Sequence, residues 1–177
     1  MKKLVLGVMM VMAMAAQAQN DAIAKFFSKY QNDESFSQVN VSGKMFSMMA
    51  NLDSDKPEDK ALFTAISKIK GLKILSKNET RNSRDLYKEA MAMIPTNDFE
   101  ELMTIRDKDK DMRFFTKESG GRISELVMVM AGNEEFVLMT LFGEIDLKEM
   151  SKIGRAVNID GLNNLEKIKD KDKNKKK

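Results

Sequence analysis

The chain contains no cysteine, no histidine and no tryptophan. Without thiols it can have neither a disulfide framework nor a cysteine that carries a lipid, so packing alone must hold the fold. Without imidazole or thiolate it cannot build Ser-His-Asp or Cys-His nucleophile arrangements, histidine acid–base catalysis, or the usual zinc and copper sites. Any enzyme would have to work through carboxylates, lysine, serine or tyrosine. The expectation is a non-enzyme that holds no cofactor. Proline is scarce too, and both prolines punctuate: Pro57 closes the polar run Asp53-Ser54-Asp55-Lys56, and Pro95 follows a helical apolar stretch.

Long apolar runs are missing beyond the first eighteen residues. There, Lys2-Lys3, the apolar run from Leu4 to Ala16 and the ending Ala16-Gln17-Ala18 have the three parts of a secretory signal peptide, with Gln19 as the new N-terminus. The run falls short of the roughly 20 residues that a spanning helix needs. Residues 1–18 are therefore expected to be a cleaved leader and the product to be periplasmic or secreted. The formal charge of +3 hides a segregation. The segment 167–177 holds seven lysines against Asp170 and Asp172, a net +5, which leaves −4 on Gln19–Glu166 once Lys2 and Lys3 go with the leader. This low-complexity tail has nothing to bury and is expected to be disordered. It could make weak contact with an anionic membrane surface, although a solvated, solubilising role is the preferred reading. It lacks the interleaved aromatics of a nucleic-acid-binding segment.

What the chain has in quantity is apolar strand. From Met112 to Leu147 the sequence reads as three consecutive strands, with turn signals at Ser119-Gly120-Gly121 and Gly132-Asn133-Glu134. Along Leu126-Val127-Met128-Val129-Met130 and along Phe136 to Phe142 both pleat faces are apolar, so both need cover. Upstream, Ile23, Phe26, Phe27 and Tyr30 have helical spacing, and Phe36 to Val41 reads as a short strand. Ser42 can then cap a helix carrying Met45, Phe46, Met48, Met49 and Leu52, with Met45, Met48, Met49 and Leu52 as its expected core face. A helix from Glu58 to Lys70 should end with Gly71 as its C-cap, followed by a strand from Leu72 to Ser76. A further helix opens at Asn82 or Ser83, turns Leu86, Ala90, Met93 and Ile94 inward, and stops at Pro95. Glu101 to Arg106 is another strand. After the three-strand stretch, Asp146 with Glu149 resembles a capping box, and Val157-Asn158-Ile159-Asp160-Gly161 echoes Val39-Asn40-Val41-Ser42-Gly43. Residues 19–166 are thus expected to form a single α+β domain, a mostly antiparallel sheet with helices packed on one face.

Several local patterns carry a chemical alternative. Asp107, Asp109, Asp111 and Glu118 match positions 1, 3, 5 and 12 of a calcium loop, but Met112 stands where that loop needs glycine, so a charged hairpin turn is favoured. Met45, Met48 and Met49 could offer thioethers to copper(I), while core packing is the simpler reading. Glu100-Glu101 and Glu134-Glu135 are neighbours in sequence rather than a pair across a cleft, and read as solvated acids. Ordinary capping accounts for Ser42 and Asp160 at helix starts.

Four segments together carry a resemblance: Phe26-Phe27-Ser28-Lys29-Tyr30, Val39-Asn40-Val41-Ser42-Gly43-Lys44-Met45, Ile69-Lys70-Gly71-Leu72-Lys73-Ile74-Leu75 and Leu141-Phe142-Gly143-Glu144-Ile145-Asp146-Leu147. In their order and spacing the chain resembles the bacterial envelope proteins grouped as domain of unknown function 4252. The resemblance implies export and a similar architecture, and brings no catalytic or binding residues with it. The sequence thus points to a non-enzymatic periplasmic interaction or regulatory protein that meets an envelope protein or its own twin, and no nucleic acid. Its expected contact residues are Leu126, Met128, Met130, Val137, Met139 and Leu141, on the second face of the central hairpin. The alternative is a carrier that holds a lipid or other apolar ligand between sheet and helices.

Overall fold

The computed structural model describes residues 22–51 and 57–147. The expected leader, the repeat-like segment at Val157, nearly all of the helix expected from Asp146 and the lysine tail lie outside the described residues. Ten elements follow one another: α1 (Ala22–Tyr30), β1 (Ser37–Ser42), α2 (Gly43–Ala50), α3 (Pro57–Ser67), β2 (Ile69–Lys77), α4 (Ser83–Met93), β3 (Glu100–Arg106), β4 (Asp111–Ser119), β5 (Arg122–Ala131) and β6 (Phe136–Ile145). The strands form one sheet in the order β1-β2-β6-β5-β4-β3, and every neighbouring pair is antiparallel. The class is therefore α+β with an antiparallel sheet. The last four strands are a meander, whereas β2 reaches β6 across the intervening chain.

The register shows how two apolar faces arise from one pattern. Leu75, Leu138 and Val129 stand side by side on β2, β6 and β5, as do Ile74, Met139 and Met128 one residue away. Because side chains alternate along a strand, the two rows lie on opposite faces. The first row joins Phe115, Val127 and Phe136 in a core completed by Ile23, Phe26 and Phe27 of α1 and by Leu86 and Ala90 of α4. Phe26 meets the Phe136 ring at 5.7 Å and the Tyr30 ring at 4.9 Å. The second row joins Phe114, Leu126, Met130 and Leu141 in a separate core, against which Phe46 of α2 and Leu147 pack. That row continues unbroken across all six strands, as Val39, Ile74, Met139, Met128, Phe114 and Met103.

The spacing of α1 and α4 translates directly into burial, and Ile94 caps α4 just before Pro95. One boundary differs. The helix expected to run to Lys70 ends at Ser67, and Gly71 lies inside β2 rather than capping a helix. Here the ladder with β6 overrides helical periodicity: Ile69 is buried in the second core and pairs with Gly143, with a register shift between Ile69 and Gly71. The junction depends on Gly143, whose φ is 136° and where an added Cβ would lie 2.4 Å from the Lys68 carbonyl oxygen. Gly143→Ala should therefore cost roughly 1–3 kcal/mol from backbone strain alone, with the steric clash in addition. Urea unfolding should show the midpoint falling with little change in slope.

Candidate functional site

The six residues expected to meet a partner do share a face. Leu126, Met128 and Met130 on β5 stand opposite Leu141, Met139 and Val137 on β6. Five of them are at most 5% exposed, and Val137 is half-buried. This face is filled from within the chain, so a partner could reach it only by displacing what covers it. The second face of the hairpin is core, and an accessible contact surface must be sought elsewhere.

It lies on α2. This helix was expected to turn Met45, Met48 and Met49 inward, and the structure reverses that orientation: they are 50%, 57% and 37% exposed. None of the residues of α2 is fully buried. The half-buried side of the helix is Gly43, Phe46, Ser47 and Ala50, at i, i+3, i+4 and i+7. The physical reason is close approach. An added Cβ at Gly43 would come within 2.8 Å of the Lys70 carbonyl oxygen, so the helix begins almost in contact with β2. A side of small residues around one phenylalanine permits that approach, and a side of three long thioethers does not. Ser42 fixes the start of the helix by accepting a hydrogen bond from the Met45 amide at 3.4 Å. Val39, 48% exposed, extends the apolar surface along β1. It shares a sheet face with Ile74 and hence with Phe46 of α2. Val39 and the three methionines are the exposed large apolar side chains among the described residues.

The polar groups are arranged differently. Asp107 closes the β3–β4 turn, its Oδ1 accepting from the amides of Asp109 at 2.9 Å and Lys110 at 2.8 Å. Asn133 donates to Asp109 at 3.1 Å. Asp111 accepts from Arg106 Nε at 2.7 Å and also pairs with Arg84 of α4. The three aspartates thus serve a hairpin turn and the docking of α4, and no group of three acids that could hold a metal ion forms among the described residues. Glu101 pairs with Arg113 at 3.2 Å, and Glu134 sits exposed in the β5–β6 turn.

Beside Asp111 the sheet edge gathers Arg84 and Tyr87 of α4 with Arg106 and Arg113, brought together by pairing that no local motif announces. The Tyr87 hydroxyl and Arg113 Nε are buried there without a hydrogen-bond partner among the described residues. Burial pushes the Tyr87 phenol up, partly offset by the Arg113 charge. The hydrogen bond from Arg106 holds the Asp111 carboxyl below the usual aspartate range. Near the C-terminal end of the inner strand β6, Glu144 receives Lys68 and Arg122, and its carboxyl is held below the usual glutamate range by the Lys68 hydrogen bond first.

The model of the family described as a domain of unknown function, DUF4252, matches residues 30–153, and the chain belongs to that family. No curated protein and no solved structure matches the chain. No helix among the described residues is long and apolar enough to cross a membrane.

Two outcomes follow from the polar geometry. Titration with millimolar calcium should give no heat in a calorimeter, because the carboxylates of Asp107, Asp109 and Asp111 are turned to separate tasks; saturable heat that disappears in Asp109→Asn would contradict this. Asp111 has a lowered folded pKa, so its contribution to stability is complete above the unfolded value of about 4 and is lost as pH falls through the folded value. In acid unfolding curves Asp111→Asn should accordingly be less stable at neutral pH and show a shallower decline below about pH 4.

Proposed function

We propose that the protein is a non-enzymatic interaction protein of the bacterial periplasm, and that its contact surface is the outer side of α2 together with β1. One observation carries this: the three methionines that the sequence offers as a core face stand in solvent. Exposed apolar side chains scattered singly need no explanation, whereas a group of them on one short helix beside a sheet edge marks a contact. Methionine suits that role because its unbranched thioether adapts to the shape it meets. The periplasmic assignment rests on the leader pattern in residues 1–18, and the non-enzymatic one on the missing histidine and cysteine together with the pairing of Glu101, Asp111 and Glu144 to basic side chains. The carrier alternative gains no support. Phe26, Leu86, Val127 and Leu138, which would line a space between sheet and helices, belong to one packed cluster.

A photo-crosslinking residue placed at Met48 of the full-length chain, in the cells that make it, tests this reading. A discrete adduct should form at Met48 and not at Lys108, an exposed position on the β3–β4 turn. If Met45, Met48 and Met49 all give no adduct, the proposed contact surface is refuted.

A further inference from the structure

The sheet has two edges, and they are built differently. At one end β3 carries Glu100, Glu101 and Arg106 and breaks register with β4 between Glu101 and Met103. Charges and a bulge are the devices by which a sheet edge refuses another strand. At the other end β1 reads Ser-Gln-Val-Asn-Val-Ser, with no charge and no proline. Its six residues pair with β2 without a register shift, and all but Val41 are exposed. The helix that follows does not close this edge: α2 packs over β2 and β1 on one sheet face. A straight, uncharged, β-branched edge whose outer side is paired by no strand among the described residues is a template for another strand.

We infer that the partner at this surface is a second copy of the chain, joined edge to edge by antiparallel pairing of β1 with β1 about a twofold axis. This deepens the contact-surface reading above and rests on it. Three features favour a copy over a foreign strand. An uncharged strand meets its own image without like charges facing each other. The flanks are complementary under the same symmetry. Exposed Glu34 precedes β1 and exposed Lys44 follows it, and neither takes part in an ion pair among the described residues. Antiparallel pairing brings the N-terminal end of one β1 to the C-terminal end of the other, so each Glu34 approaches the Lys44 of the second copy. Finally, a twofold axis perpendicular to the sheet keeps like faces on like sides. The two six-stranded sheets become one, with both α2 helices on the same side of it. Val39 and the methionines then flank the seam, and the interface is isologous, each residue meeting the set that meets it.

Sedimentation equilibrium of the purified protein tests the assignment, with thermal unfolding as a check that each variant folds. The wild type should sediment as a dimer. Val39→Lys, at a half-exposed position, should weaken association by more than about 100-fold, because it sets like charges at the seam. Glu34→Lys and Lys44→Glu alone should each weaken it by about two- to fivefold, and the double exchange should restore it, since the swapped charges meet again across the axis. A wild type that stays monomeric at every concentration, a dimer that Val39→Lys leaves intact, or a double exchange that adds the two losses would each overturn the proposal. The Met48 adduct separates the two levels of inference. An adduct of twice the chain mass supports the second copy, an adduct containing a different protein ends that assignment while keeping the contact surface, and the lack of any adduct ends both.

Discussion

The central strands β5 and β6 are apolar on both sides, and their register commits each residue to a side. Met128 stands opposite Met139, and Val129 opposite Leu138, so a slip of one residue would exchange the whole contents of the two cores. Everything else in the described structure answers this arrangement. Phe26 and Phe27 of α1 and Leu86 and Ala90 of α4 close one side, while Phe46 and Leu147 pack against the other. Burying a large apolar side chain stabilises a fold by about 1.5–3 kcal/mol. Phe114, Leu126, Val127, Val129, Phe136 and Met139 are all within 1% of complete burial, so the hairpin and its neighbours dominate the stabilising side of the balance.

Cover of this kind is uneven across the sheet. The inner strands are enclosed on both faces, and exposure rises toward β1, where the apolar row that begins at Met103 ends on Val39 in solvent. The small side of α2 lets the helix sit close to β2, and that choice turns its methionines outward. The same close approach that anchors the helix therefore creates the apolar surface beside the open edge. At the opposite end the edge is polar: Asp111 ties Arg84 of α4 to Arg106 of β3 and so links the cover of the first face to the guarded edge.

Much of the fold was legible because its signals are local. The periodicity of Ile23, Phe26, Phe27 and Tyr30, the stop at Pro95, and the turns at Gly120-Gly121 and Gly132-Asn133 appear where the sequence places them. The doubly apolar strands were legible too, and they are the two-core centre of the sheet. What could not be read locally was which way α2 faces. An i, i+3, i+4 stripe of methionines looks the same turned in or out, and the deciding fact is the Gly43, Ser47 and Ala50 side together with the approach to Lys70 in a distant strand. Gly71 differs from its local signal for a related reason: a glycine after a helical run is a usual stop, and the pairing of Ile69 with Gly143 makes it part of a strand. The cluster of Arg84, Tyr87, Arg106 and Arg113 was invisible in sequence because it depends on α4, packed on β5 and β6, reaching the β3–β4 hairpin through Arg84.

The strand order sets the sequence of events as the chain folds. β1 with β2, and β3 through β6, are each assembled from neighbours in sequence, and the pairing of β2 with β6 is what joins them. A chain that emerges N-terminus first completes β2 long before β6 exists, and the loop to be closed spans α4 and three strands. Such late, long-range closure is slow. Until it happens, α1 lacks Phe136, against which its Phe26 packs, and the inner edge of β2 is as open as the outer edge of β1. The half of the protein made first is thus held ready with two unpaired flanks, of which, among the described residues, only one is later closed by another strand.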